Sequence, residues 1–393
     1  MKKYFFGALF LLFFFAVFSQ NIRVGLLTNH SISSINFSSP SGNYFLYADG
    51  KLLDSIDKST DLAITAEKDS FEIHSSKKNY GIFFKIVLKA DSTQKNIFFK
   101  LKFQNLIVTE KKYEGDLEIT EKASALQLVN VLGIEKYLAG VVESEAGRRK
   151  NREYYKVQAI ICRTYVLSNL GRHQSDGFDL CDEVHCQAYN GMSTDTVISN
   201  AINATKGLVL VDNNSNLIVA AFHSNCGGET LNSEDVWALP TTYLKSVKDT
   251  FCIHQPNAHW RKMIPEKAWQ NYMNEKQKNN FSNTYDSLKD NNSLYYNDNG
   301  IAIPTRIIRA DWHLKSAFFT LKNVNDSVIE LDGKGYGHRV GLCQEGAMEM
   351  TKLGYSYLQI LHFYYTNVTI VNRSSISFFK DNQPKKENGT STF

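Results

Sequence analysis

The stretch IEKYLAGVVESEAG, residues 134 to 147, decides how the chain is organised around it. Its apolar residues recur at the spacing of one helix face, which predicts an amphipathic helix. These apolar residues are Ile134, Tyr137, Leu138, Val141 and Val142. Glu145 follows the last two of them by four and three positions and therefore continues the buried face, whereas Glu143 lies on the opposite side.

Glu145 is therefore expected to hold a carboxyl group against apolar surroundings. Poor solvation raises the pKa of such a group and keeps it protonated near neutral pH, as a general acid requires. The alternative is a structural glutamate paired with a buried arginine such as Arg163. Gly147 is a natural helix stop two positions later. The spacing alone leaves both roles of Glu145 open.

The chain changes character on either side of this helix. Residues 20–128 carry short β-branched and aromatic runs between turn residues, which predicts a β-rich module. Residues 129–372 mix the two periodicities, so the expected fold class is α+β. The elements expected there are helices near 153–170, 195–205 and 266–278, a hairpin over 207–224, strands at 305–310, 317–322 and 327–333, and two C-terminal helices after a Gly-rich turn.

The N-terminal segment predicts an exported protein, located in the periplasm, in the cell wall or outside the cell. Two lysines precede an apolar stretch in residues 1–19, which is the order of a secretory signal peptide. An uncleaved anchor is the alternative, although about 15 apolar residues are fewer than the roughly 20 that span a membrane. No later stretch is apolar enough to cross a membrane, and the polar residues 373–393 are expected to be a disordered tail.

The composition is that of a globular protein without a strong charge. The 393 residues are 43% hydrophobic and 21% charged, with a formal charge of +4. Two of those charges belong to the lysines of the signal peptide, so the mature chain is close to neutral. This balance argues against a nucleic-acid partner.

The loop GRHQSDGFDLCDEVHC, residues 171 to 186, concentrates residue types that bind metals. It contains Cys181, His185 and Cys186, and zinc prefers thiolate and imidazole ligands, four of them in a structural site. We take His173 as the fourth ligand. A Cys181–Cys186 disulfide is the alternative in an exported protein.

Several segments, in the same order, resemble the stage II sporulation protein D/LytB family of cell-wall proteins. They cover about residues 130 to 370 and begin with the helix that ends near Glu145 and the QAIICRTY run of the next helix. The other matching segments are CQAYNG (186–191), ATKGLVLV (204–211), AFHSNCGGET (221–230), VWALPTTYLKSV (236–247), GKGYGHRVGLCQEGAMEM (333–350) and ILHFYY (360–365). Each segment alone is a weak signal, but their order is specific.

The resemblance implies an exported peptidoglycan lytic transglycosylase with Glu145 as its catalytic acid and base. Glycines in residues 333–347 would let the backbone approach a bulky glycan, with His338 and Gln344 as polar groups for its hydroxyls. The alternative for His338 is a histidine buried in the core. The residues expected in the glycan groove are Arg163, His223, Ser224, Tyr243, His338 and Gln344. Some family members hold a zinc through Cys and His in the corresponding loop, which favours a structural zinc on His173, Cys181, His185 and Cys186.

A single carboxyl group suffices for the implied chemistry. Glu145 would protonate the glycosidic oxygen between N-acetylmuramic acid and N-acetylglucosamine, and its carboxylate would then help the sugar's own 6-hydroxyl to close a 1,6-anhydro ring. An ordinary glycosidase needs a second carboxylate about 5 to 9.5 Å away. The candidates for such a group are Glu229, Glu234, Asp235 and Glu345.

Some residues depart from the family pattern or have more than one reading. Arg339 replaces a glycine of the family's Gly-rich motif, where it would narrow or charge the groove, and no proline follows Glu145 before residue 155. Trp237 is either a sugar-stacking residue or a core residue. Cys226 either pairs with Cys252 or is a small buried residue.

Other functions compete with transglycosylation. The first is a non-catalytic protein that binds glycan strands and activates a cell-wall amidase. The second is a zinc hydrolase that uses the Cys/His loop. A triad built on His223 and Ser224 is a third, although the Gly-x-Ser-x-Gly elbow is absent. A surface structural protein is hard to reconcile with a glutamate on the dry face of a helix.

Overall fold

The computed structural model describes residues 20–104, 106, 110–237, 239–278, 294–298, 301–325 and 327–376. The expected signal peptide and the expected tail from residue 377 onward lie outside the described residues. The first residues of that tail, Arg373–Ser375, instead form a turn of 3-10 helix followed by the buried Ile376. Within the described ranges, none of the helices combines the length and the apolar content that crossing a bilayer requires.

Strands dominate the N-terminal part of the protein, as the short β-branched and aromatic runs predict. The strands are β1 (Asn21–Leu26), β2 (Ser34–Ser38), β3 (Tyr44–Ala48), β4 (Lys51–Ile56), β5 (Leu62–Glu67), β6 (Ser70–His74), β7 (Asn79–Phe83), β8 (Lys85–Ala90), β9 (Phe98–Phe103), β10 (Lys111–Glu114), β11 (Asp116–Lys122) and β12 (Ala125–Gly133). One sheet has the order β10–β9–β2–β5–β6–β7.

A second sheet joins the N-terminal strands to the rest of the chain. Its order is β13–β1–β12–β11–β8–β3–β4, where β13 (Leu180–Cys181) lies parallel to β1 and pairs Cys181 with Gly25. The buried side chains of both sheets and of the following helices form one hydrophobic core. The boundary expected between residues 128 and 129 falls inside β12, so residues on both sides of it share one sheet and one core.

Helices and short strands are interspersed after β12, which confirms the α+β class. The helices are α1 (Ile134–Ala146), α2 (Arg152–Ser168), α3 (Thr196–Ala204), α4 (Ser233–Trp237), α5 (Glu266–Lys278), α6 (Thr305–Asp311), α7 (Gln344–Lys352) and α8 (Tyr357–Tyr364). The remaining strands are β14 (Leu208–Val211), β15 (Phe222–His223), β16 (His259–Pro265), β17 (Tyr295–Asp298), β18 (Ile301–Pro304), β19 (Phe319–Asn325), β20 (Val328–Lys334), β21 (Leu342–Cys343) and β22 (Thr369–Asn372).

A smaller hydrophobic core lies within residues 260–331 and includes Trp260, Trp269 and Leu331. The prediction of a strand at residues 305–310 is wrong. This segment forms α6, which packs Ile308 into the smaller core. Six residues are too few to separate a period of two from a period of 3.6, and the contacts that choose between them come from elsewhere in the chain.

The hairpin expected over residues 207–224 forms its turn but not its second strand. Asp212 N–H donates to the Asn216 carbonyl at 2.9 Å, and a single bridge joins Val211 to Leu217. β14 pairs instead with β22, and β15 pairs with β21. These partners lie more than a hundred residues away in sequence, so the local pattern did not indicate them.

Candidate functional site

The C-terminal end of α1 carries both glutamates of the opening stretch. The five apolar residues that predicted this helix are each at most 1% exposed, and Gly147 ends the helix at φ +71°. Glu145 is half-buried, as its place on the apolar face predicts. Glu143, which the periodicity places on the opposite side of the helix, is also half-buried. The two carboxyl groups differ in their partners rather than in their burial.

Glu143 is held by charged and polar side chains. Arg148 Nε donates to one carboxylate oxygen at 2.6 Å, and the Ser193 hydroxyl donates to the other at 2.5 Å. These contacts tie the end of α1 to the loops that precede α2 and α3. Glu143 therefore has the surroundings of a structural carboxylate.

Glu145 has only a neutral partner for its carboxyl group among the residues that the structure describes. The Ala188 backbone N–H donates to Oε1 at 2.8 Å. Burial raises the pKa of Glu145 above its ordinary value, and the hydrogen bond from Ala188 opposes this shift only in part. A carboxyl group in these surroundings holds its proton to higher pH than an exposed glutamate. Ala188 belongs to the CQAYNG segment, and a backbone donor leaves no side-chain signal that could have revealed it.

The loop between α1 and α2 is held without a proline. The Tyr155 hydroxyl donates to the Gly147 carbonyl at 2.9 Å and accepts the Lys150 N–H at 3.1 Å. The Asn151 side chain caps α2 by accepting the Glu153 N–H at 2.8 Å. The missing prolines are thus replaced by side-chain hydrogen bonds that fix the exit of α1.

The N-terminus of α7 meets the C-terminus of α1. Gln344 Nε2 donates to the backbone carbonyl of Glu145 at 3.4 Å, and the Gln344 side chain is buried. The strand before α7, β21, lies parallel to β15 and pairs Cys343 with His223. The Glu345 N–H then donates to the Ser224 carbonyl at 3.0 Å. Three residues expected in the groove, Gln344, His223 and Ser224, therefore lie on elements that meet next to Glu145.

Three aromatic side chains follow one another beside this junction. The His223 and His338 rings are 5.4 Å apart, and the His338 and Trp237 rings are 5.1 Å apart. Trp237 is 40% exposed, which excludes the alternative that it is a core residue. Asp235, Arg309 and His338 border a pocket of about 80 Å³ next to this row, although Glu145 does not line it.

Both histidines are neutral at physiological pH. Burial lowers the pKa of His338 to about 4 and holds the pKa of His223 well below its ordinary value. His223 Nδ1 lies 3.2 Å from the Val340 carbonyl, so Nδ1 carries the proton and Nε2 is left as an acceptor. Within the described residues, this buried Nε2 has no hydrogen-bond partner. The Ser224 hydroxyl accepts from Asn257 instead, so the His223/Ser224 triad is not assembled.

Arg163 does not line a groove, contrary to the expectation. Its side chain has no exposed surface, and its guanidinium binds both carboxylate oxygens of Glu135 at 2.6 and 3.2 Å. A further donor reaches the Leu208 carbonyl at 3.2 Å. Arg163 is therefore the buried structural arginine that the sequence analysis gave as the alternative. Its partner, however, is Glu135 and not Glu145.

Replacing Glu135 with alanine is expected to lower the free energy of unfolding by about 3 kcal/mol, because Arg163 would stay buried without its partner. Urea unfolding of the purified variant measures this loss. Glu234 pairs with Lys245 at an exposed site and provides the matched control, since Glu234→Ala should change stability little. Equal stability of the two variants would contradict the structural role of the Arg163 pair.

Tyr243 and Arg339 also differ from the expectation. The Tyr243 hydroxyl accepts the Val219 N–H at 3.1 Å. Among the described residues, no hydrogen bond joins Tyr243 to Glu145 or to Gln344. Arg339 is buried and donates to the backbone carbonyls of Cys226 and Glu229, each at 3.0 Å. Arg339 therefore holds two loop segments together and does not add charge to a groove.

The four candidates for a second carboxylate each bind other groups. Glu345 is buried and accepts from Asn225 at 2.6 Å and from Asn257 at 2.7 Å. Glu234 pairs with Lys245, and Asp235 accepts from Asn232 at 3.0 Å. The last candidate, Glu229, is exposed and accepts from Ser246 at 3.2 Å. In the described part of the chain, none of these four is hydrogen-bonded to Glu145 or to Gln344.

The four predicted metal ligands converge in the loop before α3. One ligand atom of each of His173, Cys181, His185 and Cys186 lies within 4.8 Å of the others. Cys186 Sγ is 3.4 Å from His173 Nε2 and 3.9 Å from His185 Nδ1. His173 Nδ1 faces the Asp176 carboxylate at 3.4 Å, an arrangement that orients the ring of a metal-binding histidine. Two thiols and two imidazoles in this arrangement suit a divalent metal.

This Cys/His cluster lies next to the donor that binds Glu145. Cys186 precedes Ala188 by two residues, and the same loop donates the Asn190 N–H to the Ser144 hydroxyl at 3.1 Å. Gly140 on α1 permits the approach, since a Cβ there would lie 2.1 Å from the Gly191 carbonyl oxygen. A metal ion bound by the cluster would therefore also hold in place the Ala188 backbone N–H, which faces the Glu145 carboxyl group.

Comparison with known proteins identifies the same region. Residues 122–211, which span α1 to β14 and include Glu145 and the Cys/His cluster, match the family described as stage II sporulation protein (SpoIID). An uncharacterised protein of Brachyspira hyodysenteriae is 28% identical over 281 residues, which are 68% of this chain and 74% of that protein.

Two named relatives come from Bacillus subtilis. Stage II sporulation protein D is 29% identical over 265 residues, covering 63% of this chain and 77% of the relative. The amidase enhancer is 28% identical over 294 residues, covering 60% of this chain but only 40% of the relative. The family resemblance of the sequence is thereby confirmed: residues 122–211 match the SpoIID family, and the chain is homologous to stage II sporulation protein D and to the amidase enhancer.

Proposed function

We propose that this protein is an exported lytic transglycosylase that cleaves the glycan strands of peptidoglycan, with Glu145 as the acid and base. The observation that carries the proposal is the Glu145 carboxyl group, which is half-buried and bound only by a neutral N–H among the described residues. Glu143, two residues earlier, has an arginine and a hydroxyl partner instead. The homology to stage II sporulation protein D supports the choice of substrate, since the family that the sequence resembles is one of cell-wall proteins.

The proposed reaction uses one carboxyl group twice. Protonated Glu145 donates its proton to the glycosidic oxygen as the bond to the N-acetylmuramic acid carbon breaks. The resulting carboxylate accepts the proton of the 6-hydroxyl of the same sugar, whose oxygen closes the 1,6-anhydro ring. Water is not consumed, so no second carboxylate is needed to activate it. A single-carboxylate mechanism is supported by the four other candidate carboxylates, since each of them binds a group other than Glu145 or Gln344. These are Glu229, Glu234, Asp235 and Glu345.

The neighbouring side chains have roles in holding the glycan. The exposed face of Trp237 offers a surface on which a sugar ring stacks. His338 packs against Trp237, and the neutral imidazoles suit uncharged sugar hydroxyls. Gln344 fixes the end of α1 through the Glu145 carbonyl and so orients the catalytic carboxyl group.

The Cys/His cluster is proposed to hold a structural zinc. Thiolates of Cys181 and Cys186 with the imidazoles of His173 and His185 complete a tetrahedral set, whereas a catalytic zinc keeps one position open for water. The donor set therefore fits zinc but argues against the zinc-hydrolase alternative. When bound, the metal would tie the loop of Ala188 in place.

Cleavage is expected to slow as pH rises through the pKa of Glu145, because only the protonated group can act as the acid. Burial raises that pKa, so the decline in kcat/KM should be centred above pH 4.5, the ordinary value for glutamate. A kcat/KM profile on purified glycan strands from about pH 4 to pH 8 measures it. A rate that rises throughout this range would contradict Glu145 as the acid of the free enzyme.

A second candidate function is supported by the homology to the amidase enhancer: a non-catalytic protein that binds glycan and stimulates a cell-wall amidase. The two functions are separated by incubating purified glycan strands with this protein alone. The transglycosylase proposal expects the strands to shorten without any amidase. If strands stay intact, and if Glu145→Gln still raises the activity of an added amidase, the second function replaces the first.

A further inference from the structure

A second group of side chains that could hold a metal includes Cys343, the residue before Gln344, which contacts the Glu145 carbonyl. Cys226, Asp249, Cys252 and Cys343 are all buried with no exposed surface, and one ligand atom of each lies within 4.8 Å of the others. They come from the loop after β15, from the loop before β16 and from the residue that caps α7. The sequence predicted at most a disulfide between Cys226 and Cys252, because Asp249 and Cys343 approach these residues only in the folded chain.

The distances within this group suit a tetrahedral site. Cys226 Sγ lies 3.3 Å from Cys252 Sγ and 3.4 Å from Asp249 Oδ2. Zinc–sulfur bonds of about 2.3 Å place two thiolates of a tetrahedral site about 3.8 Å apart, so small shifts would admit the ion. A disulfide between Cys226 and Cys252 would use two of the three sulfurs and leave Cys343 and Asp249 without a role.

The surroundings of the group hold its donor atoms in place. The Tyr364 hydroxyl donates to Asp249 Oδ2 at 2.9 Å, and the Gly346 N–H donates to Cys343 Sγ at 3.4 Å. A Cβ on Gly346 would lie 2.3 Å from Asp249 Oδ2, so a glycine is required for this approach. Ligands of structural metals are commonly oriented by such outer hydrogen bonds.

The buried group has more donor atoms than its hydrogen bonds need. Asp249 accepts from Cys226 and from Tyr364, and a divalent cation would in addition bind all four side chains as anions. The guanidinium of the buried Arg339 donates to the Cys226 carbonyl at 3.0 Å and offsets part of the remaining negative charge.

We propose that Cys226, Asp249, Cys252 and Cys343 bind a second divalent metal ion of the zinc class. All four positions are filled by the protein, so the site is structural. It would join three segments at the base of α7 and fix Cys343, whose neighbour Gln344 contacts the carbonyl of Glu145. The proposal does not depend on the catalytic role of Glu145.

Metal analysis of a variant that lacks the first cluster tests the proposal. The full-length chain carrying Cys181→Ser and Cys186→Ser, purified with zinc present, is expected to retain one zinc per chain by mass spectrometry of the elements. Adding Cys343→Ser should abolish this zinc, whereas adding Cys162→Ser should not. Cys162 is the matched control, since it is a buried cysteine outside both clusters.

Two further measurements keep the test decisive if Cys343→Ser does not fold. Replacing zinc with cobalt in the Cys181→Ser/Cys186→Ser variant should give the intense charge-transfer absorption of thiolate-bound tetrahedral cobalt. Peptide mapping of the unreduced wild-type chain should find Cys226, Cys252 and Cys343 as free thiols. Absence of the absorption, or a Cys226–Cys252 disulfide in the map, would overturn the proposal.

Discussion

Replacing Glu145 with glutamine is expected to lower the rate of glycan cleavage by about 10²- to 10⁴-fold, the usual contribution of a general acid and base. Glutamine keeps the size of the side chain and can still meet the Ala188 loop, but it has no proton to give to the glycosidic oxygen. Because the carboxyl group is already poorly solvated, its removal should not destabilise the fold. Turnover of purified strands and thermal unfolding together measure both effects.

Glu143→Gln is the matched control for this experiment. It makes the same chemical change two residues away on the same helix, where it weakens contacts with Arg148 and Ser193. We expect at most a modest loss of stability and a rate within a few-fold of wild type. A large rate loss for Glu143→Gln, with activity preserved in Glu145→Gln, would exchange the roles of the two glutamates.

Loss of the Cys/His cluster is expected to have the second large effect. With Cys181→Ser and Cys186→Ser together, one zinc per chain should be lost and the free energy of unfolding should fall by several kcal/mol, since structural zinc supplies about 10 kcal/mol in small zinc-binding peptides. The loop of residues 182–194 should loosen first, because the cluster holds its start. Amide hydrogen exchange should therefore quicken at Ala188, with a loss of cleavage that follows the loss of its hydrogen bond to Glu145.

Cys162→Ser again separates the effect of losing the metal from the effect of losing a buried thiol, since Cys162 is buried but lies outside the cluster. That variant should keep its zinc and the slow exchange of Ala188. A chelator that removes the zinc of the Cys/His cluster from the wild-type chain should likewise quicken exchange at Ala188. If chelation abolishes cleavage while exchange at Ala188 stays slow, the metal would be catalytic and not structural.

Local periodicity predicted the parts of the site that lie on one element. The spacing of apolar residues placed α1 and the inward position of Glu145, and the composition of the loop before α3 indicated the four side chains that converge in the Cys/His cluster. Both signals are local, because a helix repeats every 3.6 residues and metal ligands often come from one loop.

The parts of the site that arise from long-range pairing were not predictable from the same patterns. Arg163 was expected in the groove, but it is buried and forms an ion pair with Glu135 on the neighbouring helix. The Ala188 N–H is a backbone group without a sequence signature. The pairing of β15 with β21 brings Cys343 to Cys226 across more than a hundred residues. Such contacts depend on tertiary packing, which overrides local preference.

The oxygen that appears at the new glycan end tests the central claim most directly. Purified strands are digested by the wild-type chain in water enriched in the heavy oxygen isotope, and the products are analysed by mass spectrometry. A single-carboxylate transglycosylase predicts 1,6-anhydro ends without heavy oxygen, and no such ends with Glu145→Gln. Reducing ends that carry heavy oxygen would contradict the account, because water would then be the nucleophile and a second catalytic group would be required.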